Sequence, residues 1–77
     1  MLIKYNSHCI NLDQVTDFAI IENWKIIFYH PFHYEKETQY TLGHTEWSFK
    51  NKREAEVAFE SIIDAFIVGR KAVNLSV

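Results

Sequence analysis

Trp47-Ser-Phe-Lys-Asn-Lys-Arg-Glu-Ala-Glu-Val-Ala-Phe-Glu-Ser-Ile-Ile-Asp-Ala-Phe-Ile-Val68 runs a strand end straight into a capped amphipathic helix. Asn51 is a good N-cap, and Glu54 three residues later completes a box that satisfies orphan backbone donors. Ala55, Ala58, Phe59, Ile62, Ile63 and Phe66 then recur at helical spacing and form one apolar face. Gly69 is a natural stop, and Arg70 and Lys71 suit the negative end of the helix. No other part of the chain offers a long helix, so everything before Trp47 must supply the surface on which this one packs.

Upstream the pattern is that of short strands. Leu2 to Tyr5 alternates, Asn6-Ser7 has turn chemistry, and Ile10 and Leu12 share a face in the next segment, which predicts an N-terminal hairpin. Asp13-Gln14 breaks the chain. Val15 to Glu22 reads as a strand whose apolar face changes phase between Val15 and Phe18, the mark of a bulge near Asp17. Glu22-Asn23 turns into Trp24 to His30. There Trp24, Ile26 and Phe28 take one face and Ile27 and Tyr29 the other, as a central strand requires. Pro31 to Lys36 reads as a loop. Between Glu37 and Phe49 the phase of Tyr40 and Leu42 is opposite to that of Trp47 and Phe49. Gly43 is then either a bulge in one long strand or, with His44, a hairpin turn, and the hairpin is the favoured reading. The tail from Ala72 to Val77 alternates and either adds a last strand or frays. The expectation is a single α+β domain over residues 1–77: an antiparallel β-meander of five or six strands with one C-terminal amphipathic helix packed on one face. Phe59, Ile62 and Phe66 should lie over Ile26, Phe28 and Trp47.

Composition narrows the function classes. A chain of 77 residues is close to the lower limit for independent folding and buries only about 60% of its unfolded surface. Its apolar content is 48% and its aromatic content 16%, enough for one core with rings left over for a surface, which a homodimer would hide. A net charge of −2 lacks the basic footprint of general nucleic-acid binding. Cys9 is the only cysteine, so no intrachain disulfide forms, and it reads as a small buried hydrophobe. The N-terminal residues do not resemble a signal peptide, and no apolar run approaches the ~20 residues of a membrane span. The expected location is the cytoplasm.

Motifs for chemistry are sparse. With Gly43 and Gly69 as the only glycines there is no phosphate loop, and no nucleophile elbow or paired-carboxylate motif is present, so no enzyme is expected. His30 and His33 flank Pro31-Phe32 as weak metal candidates, with His8, Cys9 and His44 on neighbouring strands. A single His-x-x-His falls short of the three or four convergent ligands zinc needs, and no cofactor is expected. Lys50, Lys52 and Arg53 surround the N-cap, where the macrodipole disfavours cations; together with free helix N–H groups they make a candidate anion site. Lys52, Glu56, Glu60 and Asp64 form one i,i+4 row, which reads as a solvated face or, as the alternative, a docking strip for a basic partner. Ile67 and Val68 widen the apolar stripe in the last turn beyond what one small sheet needs; they either pack against the C-terminal tail, the favoured reading, or mark a candidate dimer or partner contact.

Ile10-Asn-Leu-Asp-Gln-Val15, the meander, and Trp47-Ser-Phe-Lys-Asn-Lys-Arg-Glu-Ala-Glu56 together resemble small uncharacterised bacterial proteins in which a short antiparallel sheet carries one C-terminal helix. These are distantly similar to a reduced pleckstrin-homology-like domain. The resemblance implies a binding module and carries no active residues. The reading is therefore a small non-catalytic interaction or regulatory module, binding a protein partner or itself as a homodimer. The alternative is an anion or single-stranded nucleic-acid binder using the basic helix start and exposed aromatics such as Tyr34 and Tyr40.

Overall fold

The alternating N-terminal residues meet their turn where expected: β1 (Leu2–Tyr5) and β2 (His8–Asn11) pair antiparallel, with Asn6 at φ 54 in the connection. Asparagine tolerates that left-handed backbone. Asn11 then accepts a hydrogen bond from the Asp13 N–H at 3.0 Å and caps a single 3-10 turn, Leu12–Gln14. β3 (Asp17–Ile21), β4 (Lys25–Glu35) and β5 (Gln39–Ser48) follow as an antiparallel meander with β4 in the centre. The computed structural model describes the backbone of residues 1–35 and 39–75 and the side chains of residues 1–30 and 43–75.

α1 (Lys52–Val68) is bounded by local chemistry. Asn51 Oδ1 accepts from the Glu54 N–H at 2.9 Å, and Glu54 Oε2 accepts in return from the Lys50 N–H at 3.2 Å, one residue earlier than in a regular capping box. At the other end Gly69 takes φ 81; its N–H donates to Phe66 O and Ala65 O, and the Arg70 N–H donates to Ala65 O at 2.9 Å, a Schellman stop. The chain then forms β6 (Ala72–Asn74), which pairs with β1 in parallel: the Leu2 N–H donates to Lys71 O and the Leu75 N–H to Lys4 O.

The protein is thus α+β; the described residues form six strands in two mostly antiparallel three-stranded sheets, ordered β2-β1-β6 and β3-β4-β5, and one C-terminal helix packed against them. Tyr5 Oη of the first sheet donates to Ser48 O of the second at 2.7 Å, and the Phe49 N–H donates to Trp24 O at 2.9 Å, extending the β4–β5 pairing by one residue. Both sheets and the helix share one core of Ile3, Ile26, Phe28, Trp47, Ala58, Ile62 and Leu75. Full burial of each large aliphatic there is worth about 1.5–3 kcal/mol. An aromatic string runs through it, from Phe59 to Phe18, Phe28, Trp47, Tyr5 and Phe49, with ring centroids 4.7–5.7 Å apart. Much of the aromatic surplus is therefore structural.

Several local expectations are corrected. The strands do not form one meander: after the 3-10 turn β3 does not pair with β2, so the antiparallel strands fall into two sheets, and the tail adds to the first of them in parallel with β1. Trp24 is not in β4: it belongs to the turn, with φ 63 at Asn23 and φ 54 at Trp24, a backbone uncommon for a bulky residue. No bulge falls at Asp17, since β3 pairs in unbroken register; the phase change comes from Val15 closing the 3-10 turn. The segment Pro31 to Glu35 is strand, not loop. A register shift between Tyr29 and Phe32 places His30 and Pro31 together opposite Gly43, so the bulge lies on β4 and absorbs the proline that a regular ladder would reject. Gly43-His44 is accordingly not a hairpin turn, and β5 runs through it. Lys36, between the strands, lies outside the described residues. Cys9 is exposed. Ile10 pairs with Ile3 toward the core, so Cys9, one residue off and opposite Lys4, takes the other face. Phe66 is also exposed, unlike Phe59 and Ile62, which join the core as expected.

Candidate functional site

The helix rests on a narrow seam. Ala55, Ala58, Ile62 and Ala65 are buried, while Phe59 and Ile63 flank them half-buried. Beyond that support the last turn overhangs. Phe66 is 68% exposed, Ile67 74% and Val68 73%. Exposure of single apolar residues is ordinary, but three in succession leave one end of a helix apolar on every side. Successive helical residues are set about 100° apart, so the three do not share one face. Phe66 and Ile67 continue the flank that holds Phe59 and Ile63, whereas Val68 lies on the opposite flank with exposed Val57.

On the first flank a groove of about 410 Å³ opens between α1 and the segment leading into β3. It is lined by Leu12, Val15, Thr16, Asp17, Phe18, Ile63 and Phe66. The capped 3-10 turn positions Leu12 and Val15, and β3 fixes Phe18 by ring contacts with Phe28 and Phe59. Two distant stretches of sequence thus build one apolar wall beside the exposed helix end. Of the residues singled out from sequence, Ile67 and Val68 are exposed, and neither lines the groove. Phe66 and the wall Leu12–Val15–Phe18 were missed as surface, because bulk and periodicity alone assign such residues to a core.

The basic helix start is divided. Lys52 and Arg53 line a larger groove of about 710 Å³ together with Phe49, Val57, Ala58, Ser61 and Leu75. Lys50 lines a separate concavity with Tyr5, Asn6 and Ser48. The Glu54 carboxylate lies against the helix start through its bond to the Lys50 N–H, and the Asn51 side chain already occupies the Glu54 N–H. An incoming anion there meets a resident negative charge and competes with the chain's own cap.

His30 Nε2 lies 2.9 Å from Thr45 Oγ1 across the β4–β5 ladder, in a part-buried position. The side chains of His33, Tyr34 and Tyr40, the remaining metal and stacking candidates, lie outside the described residues. Among the described residues no three His, Cys, Asp or Glu side chains come together as metal ligands, and no helix is long and apolar enough to cross a membrane. The indole Nε1 of Trp47 is buried without a hydrogen-bond partner among the described residues, but Trp47 lines none of the three concavities above.

Comparison with protein-family models, curated proteins and solved structures found no match to this chain.

Proposed function

We propose that the protein is a small non-catalytic interaction module that docks a protein through the apolar end of α1. One observation carries the reading: Phe66, 68% exposed, lines an apolar groove, and Ile67, 74% exposed, continues the same flank, in a chain small enough that every buried side chain matters. The chemistry of that surface is apolar area flanked by charge, which suits recognition. Removing such area from water is worth roughly 25 cal/mol per Å² before the costs of association.

The test compares the wild type with a Phe66→Asp, Ile67→Asp double variant, by sedimentation and by affinity capture with identification of what is retained. The wild type is expected to associate with itself or with a defined host protein. The variant should lose that association with an unchanged melting curve, because both side chains are already exposed. A wild type that binds neither, or a variant that binds equally well, overturns the reading. The second reading, an anion or single-stranded nucleic-acid binder at the helix start, is supported by Lys52 and Arg53 sharing one groove. It is weakened by the separation of Lys50 and by the Asn51–Glu54 cap.

A further inference from the structure

The groove between α1 and the segment leading into β3 has an acidic setting. Asp17 is the one charged residue among those that line it, and its carboxylate accepts from Thr16 Oγ1 at 2.9 Å. Asp13, beside Leu12 on the same wall, is paired with the Met1 amino group at 3.3 Å and adds no net charge. Residues three apart on a helix are neighbours, so Glu60 stands beside Ile63 and Asp64 beside Ile67, both carboxylates exposed. The cations of α1 lie elsewhere. Lys52 and Arg53 line the other groove. They stand about 16 Å along the axis from Ile63 and Asp64, beyond the ~8 Å over which exposed charges act at physiological salt. Arg70 and Lys71 follow the stop at Gly69 and make the C-terminal end positive.

We infer that this groove takes a basic amphipathic helix of another protein, with its apolar side chains on Phe18, Ile63 and Phe66 and its lysines or arginines against Glu60 and Asp64. The inference rests on the reading of the apolar end of α1 as a docking surface and names the class of its occupant. Apolar anchors recurring every three or four residues suit a groove of this kind. The charges then fix the sign of the flanking residues. An acidic segment meets Asp17, Glu60 and Asp64 as like charges, and such juxtaposition is what rejects wrong partners. The positive end at Arg70 and Lys71 sets the direction, because the partner's cations must fall on the Glu60 side of its apolar residues. A long polybasic segment is also excluded, since beyond Glu56 it runs onto Arg53 and Lys52. A second copy does not offer the required segment. In α1, the only helix longer than one turn among the described residues, Glu56 and Glu60 lie between the cations of the first turn and the exposed apolar end.

Titration of the full chain with three synthetic peptides tests the assignment. One is a helical Leu–Lys peptide with its leucines on one face, the second has Glu in place of Lys, and the third is a scrambled Leu–Lys peptide without an apolar face. The first should bind with a dissociation constant of roughly 1–100 µM, and the other two at least about tenfold more weakly. Phe66→Ser should weaken the first about tenfold, as should the double variant Glu60→Lys, Asp64→Lys. Glu22 lies in the β3–β4 turn, and Glu46 takes the sheet face opposite that of Trp47. The control variant Glu22→Lys, Glu46→Lys thus makes the same change in net charge away from the groove, and should alter binding by less than about twofold. All five side chains are exposed, so the melting curves should not change. A Leu–Lys peptide that does not bind, or a control variant that weakens it as much as Glu60→Lys, Asp64→Lys, overturns the inference. If the Lys and Glu peptides bind alike and Phe66→Ser weakens both, the basic class is refuted and the docking surface stands. If Phe66→Ser binds as the wild type does, both fall. If the chain self-associates in sedimentation and the assembled form excludes the peptide, a second copy is the occupant and the inference is refuted.

Discussion

Asn51 and Gly69 end the helix by different physics, and each makes a separate measurable contribution. Asn51 supplies one side-chain acceptor to the Glu54 N–H at 2.9 Å; Asn51→Ala should lower the unfolding free energy by about 1 kcal/mol. Gly69 supplies backbone freedom at φ 81, and a Cβ there would meet nothing within 4 Å. Gly69→Ala should therefore cost about 1 kcal/mol through the left-handed conformation alone, and Gly69→Asn less. Urea unfolding with an unchanged slope checks both; a neutral Gly69→Ala would mean that the helix stop is not held at that φ. These residues were legible in the sequence because a cap is decided within four residues by its own hydrogen bonds. Cys9 and Trp24 were not. Which face Cys9 takes depends on the register of β1 with β2, and Trp24 is drawn into its turn by a carbonyl that accepts from Phe49, 25 residues away.

α1 itself was legible as an element, with its bounds and its apolar character, but its rotation on the core was not. Two overlapping sets of positions both repeat at helical spacing: the bulky Phe59, Ile62, Ile63 and Phe66, and the small-residue seam Ala55, Ala58, Ile62 and Ala65. The structure buries the second and leaves Phe66 exposed at the rim of the groove beside β3. Apolar bulk favours the first set; close approach of the helix backbone favours the second, and a periodicity argument cannot weigh one against the other. The two sets separate cleanly by substitution. Ile62→Ala should cost 2–5 kcal/mol, having no solvent exposure in the native state. Phe66→Ala, a larger deletion, should change stability by no more than about 0.5 kcal/mol in dilute solution. Equal losses in thermal or urea unfolding would show that the helix is rotated toward the bulky face instead.

At the scale of the whole molecule, the decisive pairing joins the two ends of the described chain. β6 lies parallel to β1, so a three-residue strand after the helix completes the sheet that began at Leu2. Alternation in Ala72 to Leu75 showed that a strand was available, but no local signal names a partner so far back in sequence. Nor does any local signal show that β3 leaves β2 unpaired after the 3-10 turn, which is why two sheets read as a single meander. The energetics make this late strand essential. A domain of 77 residues is stable by about 4–12 kcal/mol at ordinary values per residue. Removing β6 strips away buried Leu75, exposes fully buried Ile3 on β1, and frees the ladder bonds of Leu2 and Leu75. Two large apolar side chains at about 1.5–3 kcal/mol each and the lost backbone bonds at about 0.5–1.5 kcal/mol each consume most of that margin. Truncation after Lys71 should therefore abolish the cooperative melting transition, and Leu75→Ala should lower stability by about 2–3 kcal/mol without abolishing it. A truncated chain that still melts sharply near the wild-type temperature would show that the β3–β4–β5 sheet and α1 fold as a unit without β1 and β6 to close them.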